Sequence, residues 1–112
     1  MAGGQRFRMR SALKDGVLHI RLYGRLDTLS APQLLELFES ETKNGEVKKV
    51  SLDFEELNYI SSAGLRVLLM MHKECGGGIA LTGVNQTVDE ILVQSGFDSF
   101  LEISRAAESG NG

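Results

Sequence analysis

The sequence predicts a single α/β domain, in which a mixed sheet of about four to five strands is covered by about three to four helices. Two observations predict this fold. After a first pair of strand patterns, strand and helix patterns alternate along the chain, which is typical of parallel strands joined by helices. A chain of 112 residues, 42% of them hydrophobic and 24% charged, also has the size and composition of one globular domain. We place the domain at residues 1–104 and expect a flexible C-terminal tail over residues 105–112.

The first two strands are predicted to form a hairpin. Residues 7–13 and 17–23 alternate apolar and polar side chains, and Lys14-Asp15-Gly16 between them is a turn signal. His19 falls on the polar side of the second strand. We therefore expect it to face solvent and not to ligate a metal.

The first helix is predicted to follow Gly24-Arg25-Leu26-Asp27, where the second strand ends. Thr28 and Ser30 are candidate helix caps, and Pro32 lies in the first turn, where proline is favoured. One face of this helix carries its apolar residues, Ala31, Leu34, Leu35 and Phe38. Asn44-Gly45 is the predicted end of the helix.

A third strand is predicted over residues 49–54, and residues 55–58 are predicted to form a polar bridge. A second helix then runs from about Ser62 to Cys75, with Leu65, Leu68, Leu69 and His72 on one face. Ser61 or Ser62 is the natural N-cap of this helix. A helix N-terminus favours negative charge, and a phosphate added to a serine there would carry nearly two charges. A plain helix cap is the simpler interpretation of the same residues.

The remaining chain predicts one short strand at residues 79–81, a third helix capped by Asn85, and a last strand or apolar clasp at residues 97–103. The glycines at 76–78 follow a helix instead of preceding one. They therefore indicate a helix stop and not a phosphate-binding loop.

Composition excludes several classes of function. A net charge of −3 argues against a broad nucleic-acid surface. The longest apolar run, Val67 to Met71, is far shorter than a membrane span, and no signal peptide is evident. Cys75 is the only cysteine, so a reduced, partly buried thiol is expected. We therefore predict a cytoplasmic protein that does not insert into a membrane, with no metal site and no cofactor.

Three segments resemble one known family. Residues 59–69, Tyr-Ile-Ser-Ser-Ala-Gly-Leu-Arg-Val-Leu-Leu, closely resemble the phosphorylation loop of STAS domains, the family of the anti-sigma factor antagonists and their relatives. Gly24-Arg25-Leu26-Asp27, followed by Thr28, Ala31 and Pro32, resembles the Gly-x-Leu-Asp motif of that family. Residues 78–84 and the helix after them match a third segment. The resemblance covers the chain from about residue 7 to residue 103.

The resemblance implies particular site residues. The family segment is often written Asp-Ser-Ser/Thr-Gly-Leu, so Ser61 stands in place of the Asp, Ser62 in place of the phosphorylated serine, and Ala63 in place of the second hydroxyl. Phosphorylation is therefore implied at Ser62, with Ser61 as the alternative. Asp27 is implied to lie beside this loop, although it could equally be a mere turn residue. The implied partner-binding residues are Asp27, Ser61, Ser62, Ala63, Gly64 and Arg66.

The resemblance also implies a function that is not enzymatic. The unphosphorylated protein would bind an anti-sigma factor with serine kinase activity and so release a sigma factor, and a serine phosphatase would reset the switch. An alternative is a scaffold subunit of a signalling assembly, or a cytoplasmic subunit of a membrane transporter, in which Ser62 is only structural. An enzyme is disfavoured because the chain lacks a Gly-x-Ser-x-Gly elbow, a metal-ligand cluster and a phosphate-binding loop.

Overall fold

The computed structural model describes residues 6–106. Within this range the chain forms five strands, three α-helices and one short 3-10 helix, which confirms the predicted α/β fold. The elements in chain order are β1 (Arg8–Lys14), β2 (Val17–Leu26), α1 (Ala31–Asn44), β3 (Lys49–Ile60), α2 (Ser62–Glu74), β4 (Ile79–Val84), α3 (Gln86–Gln94), the 3-10 helix (Phe97–Ser99) and β5 (Glu102–Arg105).

The five strands lie in the sheet in the order in which they occur in the chain. β1 and β2 are antiparallel, as the predicted hairpin requires, and the other neighbouring pairs are parallel. Asp15 and Gly16 make the tight turn of the hairpin with φ values of 54° and 82°. Positive φ at both positions is typical of the turn whose twist matches that of two antiparallel strands.

The three helices cover one face of the sheet. Parallel neighbours joined in sequence by right-handed crossovers place every connecting helix on the same side. The burial of the strands agrees, because every second residue is buried along β2 and along β3 as far as Phe54, and the residues between them are half-buried or exposed. The opposite face is solvated, and His19 is exposed there, as predicted.

The core lies between the sheet and the helices. Its largest fully buried side chains include Phe38 of α1, Phe54 of β3, and Leu68 and Met71 of α2. No helix in the described part of the chain is long and apolar enough to cross a membrane.

The prediction for residues 55–58 was wrong, because β3 does not end at Phe54 but continues to Ile60. The polar residues in this segment are typical of a loop, yet the segment pairs with β2 through a ladder that has two register shifts. Leu57 and Ile60 are both completely buried. Pairing with β2 and burial of these two side chains thus outweigh the low strand propensity of the polar residues.

Arg21 of β2 compensates the acidic charge of this segment. Its guanidinium lies 3.5 to 3.7 Å from three carboxylates of β3, those of Asp53, Glu55 and Glu56. These side chains are partly exposed, so each contact contributes little alone. Together they place one cation among three neighbouring anions, which reduces the repulsion that an extended acidic strand would otherwise suffer.

The last two elements of the domain are the 3-10 helix and β5. The predicted tail begins at residue 105, but Arg105 is the last residue of β5 and pairs with Asp89 of α3 at 2.9 Å. The rest of the predicted tail from residue 107 onward lies outside the described residues.

Truncation of a central core residue should destabilise the domain strongly. Phe54→Ala removes a fully buried ring from the middle of the sheet and should lower the free energy of unfolding by about 3–5 kcal/mol. Urea denaturation monitored by circular dichroism measures this change. Phe100→Ala is the matched control, because Phe100 is 36% exposed. This variant should lower the free energy of unfolding by a clearly smaller amount. Equal losses in the two variants would contradict the assignment of the core.

Candidate functional site

Two segments of the chain meet at the carboxyl ends of β2 and β3. Leu26 and Ile60 are the last paired residues of these parallel strands, and the backbone N–H of Ser61 donates to the carbonyl oxygen of Leu26 at 2.9 Å. The loop that begins at Asp27 and the start of α2 therefore leave the sheet side by side. Loops at the carboxyl ends of parallel strands are a common location for binding sites. This edge is where the sequence placed its candidate residues.

Ser61 is the N-cap of α2. Its backbone is extended, with φ −99° and ψ 179°, and its side-chain oxygen accepts a hydrogen bond from the N–H of Ala63 at 3.2 Å. Its carbonyl oxygen accepts from the N–H of Leu65 at 2.9 Å. The structure thus decides between the two serines that the sequence offered as caps. The hydroxyl of Ser61 satisfies a backbone group that the helix itself leaves unpaired.

Ser62 is the first residue of α2, and its environment differs from that of Ser61. The residue is exposed, and its hydroxyl has no hydrogen-bond partner within residues 6–106. Two adjacent serines therefore have separate roles at this edge. One holds the helix start, and the other presents a free hydroxyl to solvent.

Gly64 allows the first turn of α2 to lie directly on the strand ends. It is buried, and a Cβ atom at this position would lie 2.7 Å from Cγ1 of Ile60 and 2.9 Å from the carbonyl oxygen of Leu26. The second of these atoms belongs to the backbone and cannot rotate away. Ala63 is half-buried and packs against the core. The small residues of the motif are thus required for close packing.

The loop after β2 is held by Asp27 and Ser30. One carboxylate oxygen of Asp27, Oδ1, accepts from the backbone N–H groups of Leu29 at 3.1 Å and Ser30 at 3.2 Å. The Ser30 hydroxyl, which is buried, donates to the carbonyl oxygen of Arg25 at 2.6 Å and accepts from the N–H of Asp27 at 2.8 Å. Ser30 precedes α1, but its side chain is used inside the loop and makes no cap hydrogen bond.

These hydrogen bonds keep Asp27 ionised. The N–H of Ser30 is the main cause that lowers the pKa of the Asp27 carboxyl, and the Ser30 hydroxyl, the N–H of Leu29 and the charge of Arg25 act in the same direction. Partial burial opposes them. A negative charge therefore remains at this edge at neutral pH. Asp27 is consequently a turn residue that also carries a charge, and it directly follows Leu26, whose carbonyl oxygen accepts from the N–H of Ser61.

Two further groups lie at the edge. The guanidinium of Arg25 lies 4.5 Å from the centre of the Tyr59 ring, and these residues are register partners on β2 and β3. This pair was not predicted from the sequence, where its only signal is that Arg25 and Tyr59 lie within the two motifs, in the last residues of β2 and β3. Arg66 is exposed and follows Ser62 by four residues, so both side chains lie on one face of α2.

The other polar residues that the sequence singled out lie elsewhere. Asn85 caps α3 as predicted, and its amide also donates to the carbonyl oxygen of Leu57 at 2.8 Å, a contact that the sequence did not predict. The ring of His72 packs against that of Phe100 in a tilted arrangement, with ring centres 4.7 Å apart. Cys75 is half-buried, and burial raises the pKa of its thiol, which keeps it protonated. His72 and Cys75 thus lie at the far end of α2 from Ser62, whereas Asn85 follows the carboxyl end of β4, the strand next to β3.

The fold and this edge define a small α/β binding domain with an exposed serine at the start of a central helix. The profile of the STAS domain family matches residues 9–110. The chain belongs to the STAS domain family, which confirms the resemblance recognised in the sequence.

Two relatives share extended sequence similarity with the chain. BtrV of Bordetella bronchiseptica, provisionally named an anti-sigma factor antagonist, is 35% identical over 98 residues, which are 85% of this chain and 84% of that protein. The anti-sigma F factor antagonist of Paenibacillus polymyxa is 29% identical over 91 residues, or 79% of this chain and 78% of that protein.

Solved structures share the fold. The anti-sigma factor antagonist SpoIIAA in its unphosphorylated form superposes with a TM-score of 0.75 at 22% identity, over 88% of each chain. The phosphorylated form of the Bacillus SpoIIAA gives a TM-score of 0.66 at 22% identity, over 88% of this chain and 91% of that chain. The likeness to these two structures shows the fold of the present chain and not its activity.

The separate roles of the two serines can be tested by one substitution made at each position. Ser61→Ala removes the cap of α2 and should lower the free energy of unfolding by about 1 kcal/mol. Ser62→Ala removes only an exposed hydroxyl and adds a good helix former, so we expect almost no loss of stability. Urea denaturation of the two variants and the wild type gives the comparison. Equal stability of the two variants would contradict the assignment of Ser61 as the cap.

The charge of Asp27 should appear in the pH dependence of stability. Its pKa in the folded protein is below the ordinary value, so its ionised form stabilises the fold above the unfolded pKa, and this contribution is lost as the pH falls through the folded pKa. Asp27→Asn should lower the free energy of unfolding at pH 7 and should make its decrease on acidification shallower. Denaturation curves between about pH 2 and pH 7 test this expectation. Parallel pH profiles of variant and wild type would contradict it.

Proposed function

We propose that the protein is an anti-sigma factor antagonist that works by binding and not by catalysis. Its unphosphorylated form binds an anti-sigma factor that is also a serine kinase, and a sigma factor is thereby released. The observation that carries this proposal is the free, exposed hydroxyl of Ser62 at the start of α2, beside a serine that is already used as the helix cap. The names of the two relatives agree with the proposal.

The proposed contact surface is the edge at the ends of β2 and β3. Ser62 and Arg66 are exposed and share one face of α2, so both are available to a partner. Asp27, Ser61, Ala63 and Gly64 contribute mainly by shaping the edge, through the loop hydrogen bonds, the helix cap and close packing. Because these contacts already hold the edge in the free protein, little conformational entropy is lost when a partner binds.

Ser62 is the proposed site of phosphorylation, and Ser61 is less suitable because its hydroxyl is engaged in the cap. The kinase transfers the γ-phosphoryl group of ATP to Oγ of Ser62. A bond from Oγ to phosphorus forms, the bond from phosphorus to the leaving ADP breaks, and the hydroxyl proton passes to a base of the kinase. A serine phosphatase hydrolyses the ester and returns serine and inorganic phosphate.

The phosphate would act through its charge. A dianion at the first residue of α2 is tolerated by the free protein, because it lies at the positive end of the helix. Inside a protein interface the same dianion loses its water, and this costs several kcal/mol if no partner cation replaces it. Phosphorylation therefore favours the separate proteins. The use of ATP and a sigma factor places this cycle in the cytoplasm.

A charge-mimicking substitution tests the switch. Ser62→Asp should weaken binding to the purified anti-sigma factor kinase by about tenfold or more, the factor that corresponds to 1.4 kcal/mol. Ser62→Ala should bind like the wild type and should not be phosphorylated. Ser40→Asp, at an exposed position in the second half of α1, adds the same charge and should not change binding. Isothermal titration calorimetry measures all four dissociation constants.

Phosphopeptide mass spectrometry of the protein from its native cells locates the modification. Phosphate on Ser62 is the expected result. Phosphate on Ser61 instead would keep the switch and move its site by one residue. Tight binding of Ser62→Asp, together with no phosphate on either serine under any growth condition, would contradict the proposed switch and favour a scaffold role.

A further inference from the structure

Leu29 is the most exposed of the large apolar side chains in the described part of the molecule. It is 82% exposed, while the other exposed large apolar residues are between 36% and 43% exposed: Leu13, Met70, Val93 and Phe100. A single partly exposed apolar residue is ordinary on a protein surface. Leu29 differs because it is almost fully exposed and lies in the loop of the candidate site.

The loop presents Leu29 in a defined position. The N–H of Leu29 donates to Oδ1 of Asp27 at 3.1 Å, and its carbonyl oxygen accepts from the side-chain amide of Gln33 at 3.4 Å. Both backbone polar groups of the residue therefore have partners inside the protein. The neighbouring Ser30 is buried and ties the same loop to Arg25. The backbone is held, and only the apolar side chain is left for an external contact.

The loop that carries Leu29 leaves the sheet beside the segment that carries Ser62. Leu29 follows Leu26 by three residues, and Ser62 follows Ile60 by two, while Leu26 and Ile60 are register partners. The hydrogen bond from Ser61 to Leu26 joins the two segments directly. A partner that covers Ser62 thus lies next to the loop of Leu29.

We propose that Leu29 is the apolar anchor of the partner interface and inserts into an apolar pocket on the anti-sigma factor. This inference rests on the proposed function and specifies the chemistry of the partner. The pocket is lined by aliphatic or aromatic side chains, and a cation or N–H donor at its rim faces the free carboxylate oxygen of Asp27. Burial of one leucine at such a contact strengthens binding substantially, because its side chain leaves water completely.

The proposed contact also accounts for the composition of the loop. Asp27 remains ionised and uses only Oδ1 in the hydrogen bonds that hold the loop, so Oδ2 is available to a partner. An apolar anchor flanked by one charge gives both affinity and orientation, since the charge favours a single arrangement of the two proteins. The same anchor serves when the kinase docks to phosphorylate Ser62.

Binding of purified proteins tests the inference. Each purified serine-kinase anti-sigma factor of the source organism is titrated by calorimetry with the wild type, Leu29→Ala and Leu29→Met. Leu29→Ala should weaken binding by about tenfold to a hundredfold, and Leu29→Met should retain most of it, because methionine also fills an apolar pocket. Val93→Ala and Leu13→Ala are matched controls at partly exposed apolar positions on α3 and β1, and both should bind like the wild type.

Two further measurements separate an anchor from a structural role. Leu29→Ala should unfold thermally at the same temperature as the wild type, because its side chain lies outside the core. When the same kinase phosphorylates Ser62, the variant should show a raised KM and an unchanged kcat, since Leu29 does not touch the transferred phosphoryl group.

The outcomes distinguish the inference from the function on which it rests. Tight binding by the wild type that is unchanged in Leu29→Ala, or an unchanged KM, would overturn the inference and leave the proposed function intact. Equal losses in Leu29→Ala and Val93→Ala would also overturn it. No binding by the wild type to any of the anti-sigma factor kinases would overturn the proposed function itself.

Discussion

The whole candidate site depends on the close approach of α2 to the ends of β2 and β3. The hydrogen bond from the N–H of Ser61 to the carbonyl oxygen of Leu26 ties the two strand ends together. Gly64 then allows the helix to lie against Leu26 and Ile60 at distances that a side chain would not permit. Because the helix cannot move away from this position without losing these contacts, the residue at its first position is presented in one defined place.

In each of the two segments at this edge, some side chains hold the backbone in place and a different side chain is exposed to solvent. In the α2 segment, Ser61 satisfies the helix start, and Ser62 remains free and exposed. In the loop after β2, Asp27 and Ser30 satisfy the backbone, and Leu29 points its side chain into solvent. The supporting groups are polar and hydrogen-bonded inside the protein, which keeps the cost of ordering low when a partner binds.

Much of the fold could be predicted from the sequence because the relevant signals are local. The hairpin turn, the three helices and the cap at Asn85 all follow from periodicity, turn residues and capping residues within a few positions of each other. The continuation of β3 to Ile60 could not be predicted in this way. It begins with two glutamates, and it adopts a strand because β2 pairs with it, Leu57 and Ile60 are buried, and Arg21 lies near the carboxylates.

The sequence by itself determined the order of the elements, the family and the two motifs that form the site, because each is encoded in a short run of residues. It left open which serine caps α2, and it did not distinguish Leu29 from its neighbours. Only the tertiary structure decided these points. Whether a hydroxyl is bonded or a leucine is exposed depends on groups supplied by other parts of the fold, and above all on the pairing of β2 with β3, more than twenty residues apart in the chain.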